Sequence, residues 1–452
     1  MSRDSSGSSG RVVSGVPGRD FTVEDVRGSF PDEIQIQPID RPVDAEVAVP
    51  GSKSVTNRAL VVAALAEGTS EIRNALFSED SYWLMDALAR LGFGVRADGA
   101  NGSITVHGGG GKVPKGGVEV SVGNAGTAAR FLPPVLALGE GPYRVDGVPR
   151  MRERPVSDLV DAMRGLGAAV DYAGEEGRFP LTVHGGGLAG GETTVEVSKS
   201  SQFLSGLLMA APAARAPVTL NLSGDLVSRP YVGITTGLMR EFGVPVTEGP
   251  RRYRIEPASY SARKYNVEPD ASAASYFFAA AALTGGRITV PGLGEGCSQG
   301  DLRFVEVLEE MGCAVEIGPE STEVRGPDKL RGAEANMNEI SDTFITLAAI
   351  APFASTPTTI TGISHTRHQE TDRVTAVANE LRRLGAEVDE EHDSIRIIPL
   401  TKLSPAKIHT YGDHRIAMAF SLVGLVSEGV AILDPACVTK TFPEYFARLG
   451  EL

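Results

Sequence analysis

The chain reads as an α/β protein built from six related units, and three observations in its 452 residues carry that reading. Apolar helix ends run into glycine at Leu91-Gly92, Leu166-Gly167, Phe242-Gly243, Met311-Gly312, Leu384-Gly385 and Leu449-Gly450, a spacing of about seventy residues that is too regular for chance. A second series marks Ala-rich helices with polar starts over 54–65, 126–138, 201–211, 270–283, 342–351 and 413–426. Short β-branched runs bounded by glycine or proline lie between the helices, at 69–72, 118–120, 218–220, 287–290 and 358–360.

From the N-terminus, residues 1–32 begin Ser/Gly-rich and show no strand or helix pair, which predicts a flexible extension. A strand near 37–49 is assigned to the C-terminal half. In each unit the first helix is apolar on most sides and the second is amphipathic, as over 80–91 and 374–384. One is therefore expected to be buried and the other exposed. The length favours two domains, three units each. The crossing points fall at Val47–Gly51 and Asn266–Asp270, giving a discontinuous domain of 33–50 plus 270–452 and a second domain of 51–269.

Composition excludes several classes. Lys plus Arg total 43 against 57 Asp plus Glu, a formal charge of -14 that opposes general nucleic-acid binding. No apolar stretch reaches transmembrane length and no hydrophobic secretory region opens the chain, so no membrane partner and a cytoplasmic location are expected. Cys297, Cys313 and Cys437 provide neither a disulfide framework nor a metal cluster.

The local charge runs against that acidic average. Lys53 and Arg58 sit at the first helix start, Arg130 follows Gly126-Thr127-Ala128, and Arg150, Arg152 and Arg154 lie close together. Arg229, Arg367, Arg373, Arg415 and Lys440 continue the series, each near Gly, Ser, Pro or a helix start. Helix N-termini bind anions through backbone N–H groups and arginine matches carboxylate or phosphate in two-pronged geometry, so a small, strongly anionic substrate is expected. Pro50-Gly51-Ser52-Lys53-Ser54 lacks the spacing of a nucleotide P-loop, which argues against ATP. A solvated lysine beside a capping serine is the plain alternative for Lys53. For Gly123-Asn124-Ala125-Gly126-Thr127, a structural turn explains the segment as well as a ligand loop does. Ser200-Ser201-Gln202 and Ser228-Arg229-Pro230-Tyr231 add polar starts at equivalent repeat positions.

The second half supplies proton-transfer candidates. Asp342 precedes an apolar helix and Glu370 lies in a loop rich in histidine and arginine; helix capping and salt bridging are their structural alternatives. His365 and His368 have no third ligand, so hydrogen bonding is favoured over a metal.

Taken in order, the segments 50–58, 123–130, 150–155, 200–212, 224–231, 370–373, 413–415 and 440–443 resemble the 5-enolpyruvylshikimate-3-phosphate synthases, across roughly residues 40–450. The resemblance implies a two-domain inside-out α/β barrel of six βαβαββ-type units, with a hinge and an active cleft where the domains meet. It implies transfer of the enolpyruvyl group of phosphoenolpyruvate to the 5-hydroxyl of shikimate 3-phosphate, without metal or organic cofactor. By resemblance Lys53, Asp342 and Glu370 are the catalytic residues. Shikimate 3-phosphate falls to Lys53, Ser54, Arg58, Ser200, Ser201, Gln202, Ser228, Tyr231, Asp342 and His365. Phosphoenolpyruvate falls to Lys53, Asn124, Gly126, Arg154, Gln202, Arg373, Arg415 and Lys440, with Arg373 and Arg415 on its carboxylate. A monomer is expected, since one chain supplies both halves of the site.

This sequence departs from the family pattern in three places. Gln369 stands where many members have lysine, His365 replaces a common asparagine, and Phe131 follows Arg130 where proline is familiar. Enolpyruvyl transfer to UDP-N-acetylglucosamine or another cyclic alcohol, and a non-catalytic phosphate-metabolite sensor, are the alternatives. None of the three cysteines matches the catalytic-loop cysteine of the UDP-N-acetylglucosamine family.

Overall fold

The computed structural model of the protein describes residues 13–400 and 402–452. They divide into two compact units, one made of Glu24–Pro50 with Glu268–Leu452, the other of residues 13–23 with Gly51–Val267.

In the Gly51–Val267 unit, three sheets repeat one plan. Glu119–Ser121 pairs parallel with Glu140–Asp146, followed by antiparallel Leu181–Gly185 and Val170–Tyr172. Gly191–Glu196 pairs parallel with Val218–Ser223, then antiparallel Arg252–Ile255 and Thr247–Gly249 follow. In the remaining sheet the parallel partner of Thr69–Arg73 is Lys264–Asn266, from the far end of the unit. The other unit repeats the parallel pairing, its third sheet being completed by antiparallel Glu33–Gln35. Asp44–Glu46 pairs parallel with Arg287–Pro291, Glu334–Asn336 with Thr358–Thr361, and Ala406–Ile408 with Val430–Leu433. Parallel strands need a crossover connection: in four of the six sheets a helix joins the two parallel strands directly, whereas Lys53–Leu65 and Ala271–Thr284 run into Thr69–Arg73 and Arg287–Pro291, whose parallel partners lie far away in the chain.

These six helices form the cores. Helices Lys53–Leu65, Gly126–Leu136 and Ser201–Ala210 pack on one another in one unit, and Ala271–Thr284, Phe344–Ile350 and His414–Gly424 do so in the other. Every residue of Gly126–Leu136 and His414–Gly424 is buried. A helix apolar on all sides has no solvent face to keep, so the sheets and the amphipathic helices close around it. The sequence expectation of one buried and one exposed helix per unit thus describes an inside-out arrangement within each unit. Five of the six helix-ending glycines adopt left-handed backbone, as at Gly92 (φ 89°) and Gly312 (φ 104°); Gly450 stays at φ -73°. Among the described residues no helix is long and apolar enough to cross a membrane.

The expected flexible extension needs correction over 13–32. Ser14–Gly15 pairs antiparallel with the Gly94–Asp98 strand, Phe21 packs its ring 5.8 Å from Tyr82, and Val23–Arg27 is helical. A two-residue strand and a five-residue helix offer too few positions for a periodic signal. The rest of that expectation, residues 1–12, lies outside the described residues. Phe21 is 5% exposed, so Phe21→Ala is expected to destabilise the Gly51–Val267 unit by about 3 kcal/mol, read as a lower denaturation midpoint.

Candidate active site

In the Gly51–Val267 unit, the core helices lie side by side with their starts level. Asn57 Nδ2 donates to Thr127 Oγ1 at 2.7 Å, and Arg58 Nη2 donates to Ser205 Oγ at 3.3 Å. These bonds join the first two turns of all three helices, which brings their N-terminal ends together, and with them the positive ends of their dipoles. Ser52 caps the first helix by accepting from Val55 N at 3.5 Å, and Ser200 caps the third by accepting from Gln202 N at 3.2 Å. Lys53 therefore opens a helix as a cation, 3.8 Å from Asp80. Arg154 lies against the second helix start: a Cβ on Gly126 would sit 2.9 Å from its Nη2. A side chain at Gly126 would push this guanidinium back from the helix start. At Gly123 (φ 52°), a side chain would collide with the Trp83 indole.

The cations that the sequence groups together separate here. Arg154 is 6% exposed, whereas Arg150 pairs with Glu153 and Arg152 with Asp146 at the surface. Arg58 is 1% exposed; its Nε donates to Thr235 Oγ1 at 2.7 Å and its Nη1 to Ser54 O at 3.0 Å. Burial lowers its pKa to about 10, which still leaves it charged at neutral pH. Phe131 lies under it, 5.1 Å from ring centroid to guanidinium, so the residue that departs from the family pattern forms a cation–π contact. The Tyr231 ring is 5.8 Å from the same guanidinium. Ser228 takes left-handed backbone (φ 50°), a conformation that costs a non-glycine residue about 1 kcal/mol or more and is found at ligand-binding turns. Ser54 and Ser201 are buried at the same end, Asn124 and Gln202 are half-buried, and the Gln202 Oε1 atom has no hydrogen-bond donor among the described residues.

In the other unit, one buried guanidinium gathers three carboxylates. Arg373 opens its helix and donates from Nε to Asp413 Oδ2 at 2.7 Å, from Nη2 to Asp413 Oδ1 at 3.2 Å, and from Nη1 to Asp342 Oδ1 at 3.1 Å. Glu370 Oε2 is 3.0 Å from its Nη2, and Gln369 accepts from its Nη1. The second oxygen of Asp342 accepts from Arg415 Nη2 at 2.5 Å, so a single carboxylate spans both arginines. Lys440 stands 3.7 Å from Glu370. Desolvation pulls the Arg373 pKa down, but Asp413, Glu370 and Asp342 outweigh it and hold the group above its ordinary value. Burial pushes Tyr276, beside Arg415, up to about 12. Asp342 does not cap the helix that follows it; Thr343 is the capping position, and the Asp342 carboxylate turns to the arginines.

His365 is buried and shares a 2.9 Å hydrogen bond with Ser341 Oγ. Burial lowers its pKa to about 4, so it is neutral at physiological pH. Because the folded pKa lies below the unfolded one, the unfolded state binds the extra proton between about pH 6.5 and 4, and stability falls as pH drops through that window. His365→Asn is expected to flatten the loss of stability between pH 7 and 5, measured by denaturation at several pH values. Burial also raises the thiol pKa of Cys297 and Cys313 to about 12, and that of Cys437 further, so none carries a thiolate nucleophile near neutrality.

Within each unit the expected residues assemble: Lys53, Ser54, Arg58, Asn124, Gly126, Arg154, Ser200, Ser201, Gln202, Ser228 and Tyr231 in one, and Asp342, His365, Glu370, Arg373, Arg415 and Lys440 in the other. Sequence reasoning left out Asp80, the partner of Lys53, and Asp413, which anchors Arg373 and caps the His414–Gly424 helix. An aspartate directly before an apolar helical run is a capping signal and points to Asp413; Asp80 has no comparable signal.

Comparison with known proteins follows the same outline. Residues 37–449 match the sequence model of the family described as EPSP synthase (3-phosphoshikimate 1-carboxyvinyltransferase). The chain is 49% identical over 435 residues to a 3-phosphoshikimate 1-carboxyvinyltransferase of Nostoc sp., covering 93% of this chain and 99% of that protein. It is 48% identical over 431 residues to the protein of that name from Yersinia pseudotuberculosis, with the same coverage of 93% and 99%. In structure it is similar to an EPSP synthase from Acinetobacter baumannii, with a TM-score of 0.78, 26% identity, and coverage of 93% of this chain and 98% of that one.

Proposed function

The chain belongs to the EPSP synthase (3-phosphoshikimate 1-carboxyvinyltransferase) family, and we propose that the clusters on its two units divide the work of the family's single reaction. It is an enzyme that transfers the enolpyruvyl group of phosphoenolpyruvate to shikimate 3-phosphate. In the proposed division, Arg373 and Arg415 hold the donor carboxylate, while Lys53, Arg154, Gln202 and Lys440 favour its phosphate and Asn124 and Gly126 flank it. Ser200, Ser201 and Ser228 favour the phosphate of shikimate 3-phosphate, and Ser54, Arg58, Tyr231, Asp342 and His365 its ring.

The observation that carries this reading is Asp342. Its carboxylate joins Arg373 and Arg415 through one oxygen each, at 3.1 and 2.5 Å, so the arginine pair is spaced for a bridging carboxylate. In the reaction the 5-hydroxyl oxygen of the acceptor bonds to C2 of the donor as its proton leaves, and C3 takes up a proton. The resulting tetrahedral ketal then loses the C3 proton and its C2–O bond to phosphate, which restores the double bond. Asp342 is assigned the hydroxyl proton, and Glu370 the proton at C3, assisted by Lys53. Cations around the phosphate stabilise its departure. One chain carries both clusters, so the active form is assigned as a monomer, which sedimentation during turnover checks. Incubation with phosphoenolpyruvate and shikimate 3-phosphate, followed by product mass and free phosphate, tests the whole assignment. Phosphate release with UDP-N-acetylglucosamine and none with shikimate 3-phosphate would reject it.

A further inference from the structure

The arginine pair is held from behind by a second anchor that lies outside the expected site. Glu380 is buried on the Arg373–Arg383 helix, two turns beyond Arg373. Its carboxylate accepts from His409 N at 3.0 Å, from Tyr411 OH at 2.8 Å and from Arg383 Nε at 3.0 Å. Tyr411 and Gly412 both have left-handed backbone, with φ of 56° and 67°, inside a turn closed by Asp413 N donating to Thr410 O at 2.8 Å. The next residue is Asp413, whose carboxylate grips Arg373 and caps the helix start at Arg415 N, 2.9 Å away. The same helix and the same loop are therefore pinned twice, by Arg373 to Asp413 and by Glu380 to His409 and Tyr411.

We propose that Glu380 and Tyr411 are positioning residues for phosphoenolpyruvate: they hold the 409–413 turn so that Asp413 sets the Arg373 and Arg415 guanidinium groups at carboxylate spacing. A bulky residue in left-handed backbone does not stay there unaided; Tyr411 is 42% exposed, and its ring meets His409 of the same turn at 6.4 Å, a contact that does not tie the turn to the Arg373–Arg383 helix. Its hydroxyl on Glu380 does. The effect falls first on the donor, because the guanidinium groups that this turn positions are the two assigned to the donor carboxylate; a smaller part reaches the acceptor through Asp342, which both arginines hold. The proposal rests on the assignment of Arg373 and Arg415 to the donor carboxylate.

The test uses the full-length enzyme. Tyr411→Phe removes the hydroxyl alone, and Glu380→Gln keeps the shape and removes the charge. Each is expected to raise KM for phosphoenolpyruvate about three-fold to ten-fold, the effect of one lost hydrogen bond, with a smaller rise for shikimate 3-phosphate; the thermal midpoint stays nearly unchanged in Tyr411→Phe and falls in Glu380→Gln, whose amide N–H groups face the donors of His409, Tyr411 and Arg383. Tyr411→Gly relieves the backbone conformation but loses the hydroxyl; a purely structural role predicts wild-type kinetics for it, and positioning predicts the raised donor KM. Arg415→Ala is the reference. If it raises the donor KM while folded Tyr411→Phe and Glu380→Gln do not, the anchor is wrong and the carboxylate assignment stands. If Arg415→Ala also leaves the donor KM unchanged, both fall.

Discussion

Arg373→Ala is expected to lower the stability of its unit by about 3 to 5 kcal/mol, because removing one member of a buried ion-pair set leaves charge without compensation. The Arg373 side chain is 2% exposed and stands between Asp413, Asp342 and Glu370. Asp342 would retain Arg415, and Glu370 would retain Lys440 at 3.7 Å. Asp413 would suffer most: its side chain is fully buried and would keep the Arg415 N–H and the His414 ring at 3.4 Å. Arg373→Lys is not conservative here, since one ammonium cannot reproduce the two-pronged bond to Asp413 and the bond to Asp342. The double variant Arg373→Met with Asp413→Asn removes the orphaned charge together with its partner. It is expected to regain much of the denaturation midpoint and none of the turnover. Recovery of both would show that Arg373 serves packing alone, and would sink its assignment to the donor carboxylate.

How far the sequence leads, and where it stops, follows from the range over which each signal acts. The six core helices are legible because apolar character on all sides and a glycine stop are local properties; Gly126–Leu136 and His414–Gly424 lie within two residues of their expected bounds. Helix starts rich in Ser, Gly and Lys are local too, so Lys53, Gly126 and Ser200 could be found by pattern. The partners that give these residues their geometry are far along the chain. Arg58 meets Thr235 across 177 positions, and Asp342 meets Arg415 across 73. No window of sequence contains both members. That is why helix capping competes with proton transfer for Asp342 in the sequence while the fold makes it a bridge between arginines, and why Asp80 and Glu380 escape notice. Residues 13–32 fail for the opposite reason: their signals are local but too short, and the segment is ordered by the edge strand and the Tyr82 ring it meets.

Asp342→Asn and Glu370→Gln separate binding from chemistry, and each is expected to slow the single-turnover rate by about ten-fold to a thousand-fold, the range lost with one proton-transfer group. The two should differ in binding. Asp342 neutralises part of the charge on Arg373 and Arg415, and its carboxylate occupies the positions that the donor carboxylate needs. Asparagine weakens that internal competitor: it offers one acceptor oxygen, and its amide N–H groups face a guanidinium that can only donate. Phosphoenolpyruvate binding is therefore expected to hold or tighten in Asp342→Asn while activation of the 5-hydroxyl fails. Glu370 lies between Arg373 at 3.0 Å and Lys440 at 3.7 Å, so its neutralisation leaves two cations less screened. That change favours the donor phosphate in the ground state but removes the group assigned to the C3 proton, so the tetrahedral intermediate should form slowly or persist. Rapid quench with mass detection of the intermediate, alongside binding of each substrate and a denaturation curve, distinguishes these outcomes. If both variants fold and retain wild-type single-turnover rates, neither carboxylate handles a proton in the reaction, and the cations alone carry the catalysis.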